Sequence, residues 1–183
     1  MQNHDKIMID KVLSLGAFRA AIVDASEVSL SEHFRTLCEN NTCGAYGKCW
    51  MCPPDVGEIH DLMQKFRSFD RVLVYQSVAT LEDSFDFEGM VEAAERHAKL
   101  MQEVRAAMKD EPFARALYLG AGGCHLCETC AKRENEPCRF PDQAMPSLES
   151  FGVDVSALAK LGGMKYINGK DTVTYFGAVC FSM

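Results

Sequence analysis

Residues 112–130 read PFARALYLGAGGCHLCETC. After Pro112, the run from Ala114 to Leu119 is apolar on nearly every position, the pattern of a strand buried on both faces. It leads directly into Gly120, Gly122 and Gly123, and these into Cys124, Cys127 and Cys130. A buried sheet element therefore hands the chain to a loop of thiols, and the rest of the fold is read outward from that junction.

Upstream, Phe87 to Lys109 reads as the longest helix. Phe87, Met90, Val91, Ala94, Ala98, Met101, Val104 and Met108 form one apolar stripe at helical spacing, expected to face the core. A strand from Arg71 to Val78 precedes it. Before that strand, Asp55-x-x-Glu58 has the spacing of a helix start, with Ile59, Leu62, Met63 and Phe66 following at helical intervals. Nearer the N-terminus, Phe18 to Asp24 (FRAAIVD) reads as a strand. Ser29 and Glu32 then mark a helix start toward Cys38, and Asn40-Asn41 marks its stop. The stretch to Pro53-Pro54 should be irregular, because proline disfavours helix in the residue before it. Downstream, Asp154 to Leu161 reads as a short helix closed by Gly162-Gly163, and Thr172 to Phe181 as a last strand. Four strands separated by helices predict a single domain over residues 1–183, an α/β or α+β sandwich. A ferredoxin-like split arrangement fits the strand count.

Charge and hydropathy exclude several classes. A net charge of −7 leaves no broad surface of Lys and Arg to neutralise phosphates, so nucleic acid is not an expected partner. No apolar run approaches the roughly 20 residues of a membrane helix. The opening MQNHDKIMIDKVLSLG mixes acidic residues with apolar ones, unlike a signal peptide. These features predict a cytoplasmic protein. In a reducing compartment, nine cysteines are read as metal ligands or redox groups rather than as a disulfide framework.

Eight of those cysteines fall in two windows, 38–52 and 124–138. The second holds Cys124, Cys127 and Cys130 at successive spacings of three, then Cys138 after Pro137. Three thiolates in one turn with a more distant fourth suit an iron–sulfur cluster, most simply [4Fe-4S]. Zinc also takes four thiolates, but typically through two separate knuckles, and it is the alternative. The glycines at 120, 122 and 123 allow a tightly curled backbone whose N–H groups can face cluster sulfurs. They lack the spacing of a dinucleotide fingerprint. His125 could stand in for a cysteine, although four cysteines are already at hand.

The first window contains Cys38, Cys43, Cys49 and Cys52, the last followed by Pro53-Pro54. These thiols could hold a second metal centre, giving one or two clusters in all. Alternatively, Cys52 or Cys43 completes the second window's site and leaves Cys49 free. Tyr46 and Trp50 interleave with the thiols and read as aromatics packed over a loop. Lys48 and Arg139 are candidate cofactor-binding residues, since a cation beside a negative cluster raises its potential and can bind an anion. Cys180, alone on the last strand, reads as small buried core volume.

The windows and their surroundings resemble the DUF2284 family of predicted metal-binding proteins. The resemblance rests on Cys38-x4-Cys43, on Tyr46-Gly47-Lys48-x-Trp50-x-Cys52-Pro53-Pro54, and on Cys124-x2-Cys127-x2-Cys130. It continues through Pro137-Cys138-Arg139-Phe140-Pro141 and Ser147-x-Glu149-x-x-Gly152-Val153-Asp154-Val155. It implies a metal-binding protein with cysteine ligands and specifies no reaction. The residues themselves carry no Ser-His-Asp, HExxH or P-loop signature. The expected function is an iron–sulfur protein that transfers electrons or senses redox state for a partner protein or enzyme. The alternatives are an enzyme or maturation factor whose cluster has an open site, and a zinc-stabilised interaction module.

Overall fold

The computed structural model describes residues 2–183. Five α-helices surround a four-stranded antiparallel sheet, an α+β fold. In chain order the elements are α1 (Gln2–Ser14), β1 (Arg19–Asp24), α2 (His33–Glu39), α3 (Ile59–Arg67), β2 (Arg71–Thr80), α4 (Phe87–Met108), β3 (Arg115–Leu119), α5 (Val155–Leu161) and β4 (Thr172–Ser182). The sheet order is β1-β2-β4-β3. Because β2 and β3 each pair antiparallel with β4, they run parallel to each other, and β4 is inserted between them. With α4 as the crossover, this is the split β-α-β arrangement. The chain does not alternate as β-α-β-β-α-β, because β3 and β4 are separated by residues 120–171.

Both faces of the sheet are covered, which explains the near-continuous apolar composition of β2 and β4. On one face Leu73, Tyr75, Val179 and Phe181 pack against Met8 and Val12 of α1 and Leu100, Met101, Val104 and Met108 of α4. On the other, Val72, Val74, Phe176, Ala178 and Cys180 meet Leu62 and Phe66 of α3 and Leu158 and Ala159 of α5. Each fully buried aliphatic side chain contributes about 1.5–3 kcal/mol relative to exposure. Gly177 lies opposite Tyr75 in the β2–β4 ladder. A Cβ at this glycine would sit 2.4 Å from the Tyr75 hydroxyl, so the missing side chain makes room for the ring.

Helix starts depart from the predicted boxes. The N-caps of α2 and α3 are Glu32 and Glu58, and neither side chain caps its helix. Ser31 Oγ instead accepts the His33 N–H at 3.2 Å. Asp86 and Asp154 are functional caps, their carboxylates accepting the N–H groups of Gly89 and Ala157. Helix α1 was not read from the sequence.

The stripe predicted on α4 holds only in its C-terminal half. Phe87 and Val91 are 71% and 59% exposed, whereas Ala93 and His97 are buried. The helix turns an imidazole inward, where His97 Nδ1 and the Ser77 hydroxyl of β2 share a hydrogen bond of 2.7 Å. Among the described residues no helix is long and apolar enough to cross a membrane.

Candidate metal centre

Segment 146–153 draws the two cysteine windows together. At the end of β3, Gly120 N–H donates to Pro146 O and Leu148 N–H donates to Gly120 O, both at 2.9 Å. The same segment binds the approach to α2, through Ser31 N–H to Gly152 O at 2.7 Å and Asp154 N–H to Ser29 O at 3.0 Å. One segment, bridged at Ser147 and Val153 about a short 3-10 turn, thereby fixes the exit of β3, which begins the second window, and the helix that leads into the first. Gly120 is required by proximity: a Cβ there would lie 2.5 Å from Met101 Sδ on α4.

The first window closes in a tight turn in which Cys52 N–H donates to Cys49 O at 3.0 Å. Its Trp50 ties it to the second window. The indole Nε1–H donates to Glu136 O at 2.9 Å, and the Lys132 ammonium lies 4.3 Å from the centroid of the Trp50 ring. Lys132 also pairs with the largely buried Asp55. Trp50 is thus an aromatic packed over a loop, and it fastens one thiol loop to the other.

The thiols sort into two pockets. Cys124, Cys127, Cys130 and Cys138 line the first together with Cys49, and Leu126, Met51, Trp50, Phe140 and Ala144 complete its wall. Cys38, Cys43 and Cys52 line the second. The residue that crosses to the second window is therefore Cys49, where the sequence had offered Cys52 or Cys43. Among the described residues, no three Cys, His, Asp or Glu side chains are gathered tightly enough for a single ion. The thiols ring pockets instead.

Cys49 and Cys52 stand at the two ends of the turn that joins the pockets, and the Cys52 side chain beside Cys49 holds that thiol below its usual range while Cys52 itself is raised. Backbone N–H groups of Met51 and Cys124, and the Cys130 side chain, also favour the Cys49 thiolate, against the opposing effect of burial. Burial raises Cys124, with partial compensation from hydrogen bonds to the Leu126 and Met145 backbone. Burial likewise raises Cys38, and the Arg35 guanidinium opposes it.

The other expected residues divide. Arg139 lines the first pocket and donates from Nη1 to Thr129 O at 2.8 Å, bracing the turn before Cys130. Lys48 is exposed and lines neither thiol pocket, so the geometry gives it no place at the thiols. It stays outside because the turn that buries Cys49 points its neighbour to solvent. His125 is also exposed, on a cleft of 650 Å³ between α4 and the second window that Cys124 and Cys127 line as well, and it is not in the wall of either pocket described above. Cys180 is fully buried in the sheet, in register with Val72 and Leu117.

Two residues escaped the reading of chemistry from sequence. Arg35, one turn before Cys38, is 8% exposed and donates to Gly57 O at 2.9 Å and Ser150 O at 3.4 Å. Glu149 lines the second thiol pocket. An arginine three residues ahead of a helical cysteine was a legible signal, since the two share a helix face.

No curated protein and no solved structure matches the chain. The family model for DUF2284, described as a predicted metal-binding protein, matches residues 21–181, which includes every cysteine of both pockets. The chain belongs to the DUF2284 family of predicted metal-binding proteins.

Proposed function

We propose that this chain is an iron–sulfur protein in which Cys124, Cys127, Cys130 and Cys138 hold a [4Fe-4S] cluster and serve electron transfer to a partner enzyme. The observation that carries this reading is the lining of one pocket by all four second-window thiols, with Cys49 beside them. The donor chemistry fits: soft thiolates in a largely apolar wall, with backbone N–H groups of Leu126 and Met145 turned to Cys124. A lone tetrahedral zinc needs four sulfurs about one point at roughly 2.3 Å. Here five thiols line one pocket of about 10 Å³, and it is their number, with Cys124, Cys127 and Cys130 at successive spacings of three, that favours a cluster.

When bound, the cluster supplies a one-electron couple. The chain's own part is to exclude water and set the charge nearby. Leu126, Phe140 and Trp50 shield the thiols, while Arg139 holds the Cys130 turn in place and adds a cation at the pocket edge. The net charge of −7 favours a partner with a basic docking face.

The test is the content of iron, sulfide and zinc after anaerobic purification, with an electron paramagnetic resonance spectrum of the reduced protein. Equal iron and sulfide, brown colour and a cluster signal lost in Cys127→Ala and Cys138→Ala are expected. Colourless protein with stoichiometric zinc and no sulfide would overturn the reading.

A further inference from the structure

The second thiol pocket repeats the donor chemistry of the first but is one cysteine short of a four-thiolate set. Cys38 comes from the last turn of α2, Cys43 from the loop after it, and Cys52 from the turn before Pro53-Pro54. None of the three lines the first pocket. The wall opposite the thiols contains Ser147 and Glu149 from the segment that unites the windows, and the Gly122-Gly123 backbone from the second window. Gly123 approaches closely, for a Cβ there would lie 3.8 Å from Cys52 Sγ. The pocket has a volume of 260 Å³, and Cys43 at its rim is exposed.

The helix that supplies Cys38 also carries a buried cation. The Arg35 guanidinium lies one turn before Cys38, where its charge opposes the rise that burial and the charges of Cys43, Glu149 and Glu39 impose on that thiol. A buried cation with no carboxylate partner is costly unless anions face it, and Arg35 donates only to backbone carbonyls. Thiolates in the adjoining pocket would supply that negative charge.

Resting on the cluster reading of the first pocket, we propose that Cys38, Cys43 and Cys52 form a second, separate iron–sulfur centre with three thiolate ligands, whose fourth position faces Glu149 and is open to a small exogenous ligand. Three thiolates leave one metal site of a four-iron group without a cysteine. Glu149 is the chain's oxygen donor on that side, and the open pocket admits a competitor for the same position. Cys49 and Cys52 bracket one tight turn, Cys52 N–H donating to Cys49 O at 3.0 Å, and so place the two centres next to each other.

Anaerobic reconstitution of the full chain tests this through iron counting and spectroscopy. Wild type is expected to bind about eight iron and eight sulfide per chain, the content of two four-iron clusters. Cys43→Ser, an exposed loop substitution that leaves the core untouched, should remove about half of the iron, and Cys127→Ala the other half. Cyanide should perturb only the resonance signal that Cys43→Ser removes, and Glu149→Ala should increase that perturbation. A wild type that stops at about four iron, with Cys43→Ser unchanged and Cys127→Ala empty, would overturn the second centre while leaving the first. Complete iron loss in either single variant would overturn the partition into two sites. An absence of sulfide from wild type would instead be the failure of the first reading. Cyanide without effect on either signal would overturn the open position.

Discussion

Nine cysteines share one side-chain chemistry, and their surroundings divide them. Cys180 is fully buried between Val72 and Leu117, and burial pushes its thiol well above the usual range, so it is inert core volume. Cys180→Ala should retain all metal and lose about 1–2 kcal/mol, the cost of a small cavity, read from denaturant unfolding beside an iron assay. Metal loss in this variant would mean that the sheet itself sets the thiol pockets. The role of Cys180 was legible because a lone thiol on an apolar strand needs no further explanation. That of Cys49 was not. Its arrival beside Cys124 and Cys130 depends on a turn that buries it while leaving Lys48 exposed. Sequence spacing measures distance along the chain and does not reveal which thiols a loop carries across to another loop. For the same reason Arg139, beside Cys138, lines the first pocket, whereas Lys48, only one residue from a thiol, faces away.

Among the elements, strands and their order along the chain could be read from apolar runs, and most helices from their spacing. The pairing of the windows could not, because it rests on hydrogen bonds from segment 146–153 and on a contact between Trp50 and residues 132–136. This contact has a testable consequence. Trp50→Phe keeps a ring beneath Lys132 but removes the donor to Glu136 O, which forfeits about 1 kcal/mol of attachment between the windows. If the windows must part for metal to leave, the loss speeds release about fivefold. The measurement is the rate at which visible absorption bleaches in excess chelator under anaerobic conditions. An unchanged rate would show that the windows are held by the thiols alone. Lys132 is a poorer probe, since removing it would strand the largely buried Asp55 carboxylate and unfold more than the contact.

Across the whole molecule, the sheet is buried on both faces, and this forces polar groups of α4 and β2 into the interior. His97 is 1% exposed and bonded through Nδ1 to Ser77, with the Tyr75 and Tyr175 rings 6.1 and 5.7 Å away. Its Nε2 has no hydrogen-bond partner, and neither does the side-chain amide of the neighbouring Gln76. Burial lowers its pKa to about 4. The inward turn of α4 at His97 is also where the predicted stripe failed, because periodicity counts apolar residues and cannot see a hydroxyl waiting on the facing strand. In the unfolded chain His97 titrates near 6.5. The unfolded state therefore takes up a proton first as pH falls, and the folded state is penalised. Stability from this residue is complete above about pH 6.5 and is lost as pH drops toward 4, by about 3 kcal/mol in all. His97→Gln keeps a partner for Ser77 and cannot titrate. The variant should be less stable than wild type at pH 7.5, and the gap between the two should shrink by about 3 kcal/mol on moving to pH 4. Denaturant unfolding of both proteins in matched metal-free buffers isolates the effect, because every carboxylate and thiol is common to the pair. A gap that stays constant over this range would show that the imidazole titrates in the fold as it does in the unfolded chain, and that the interior between α4 and β2 is wetter than its burial implies.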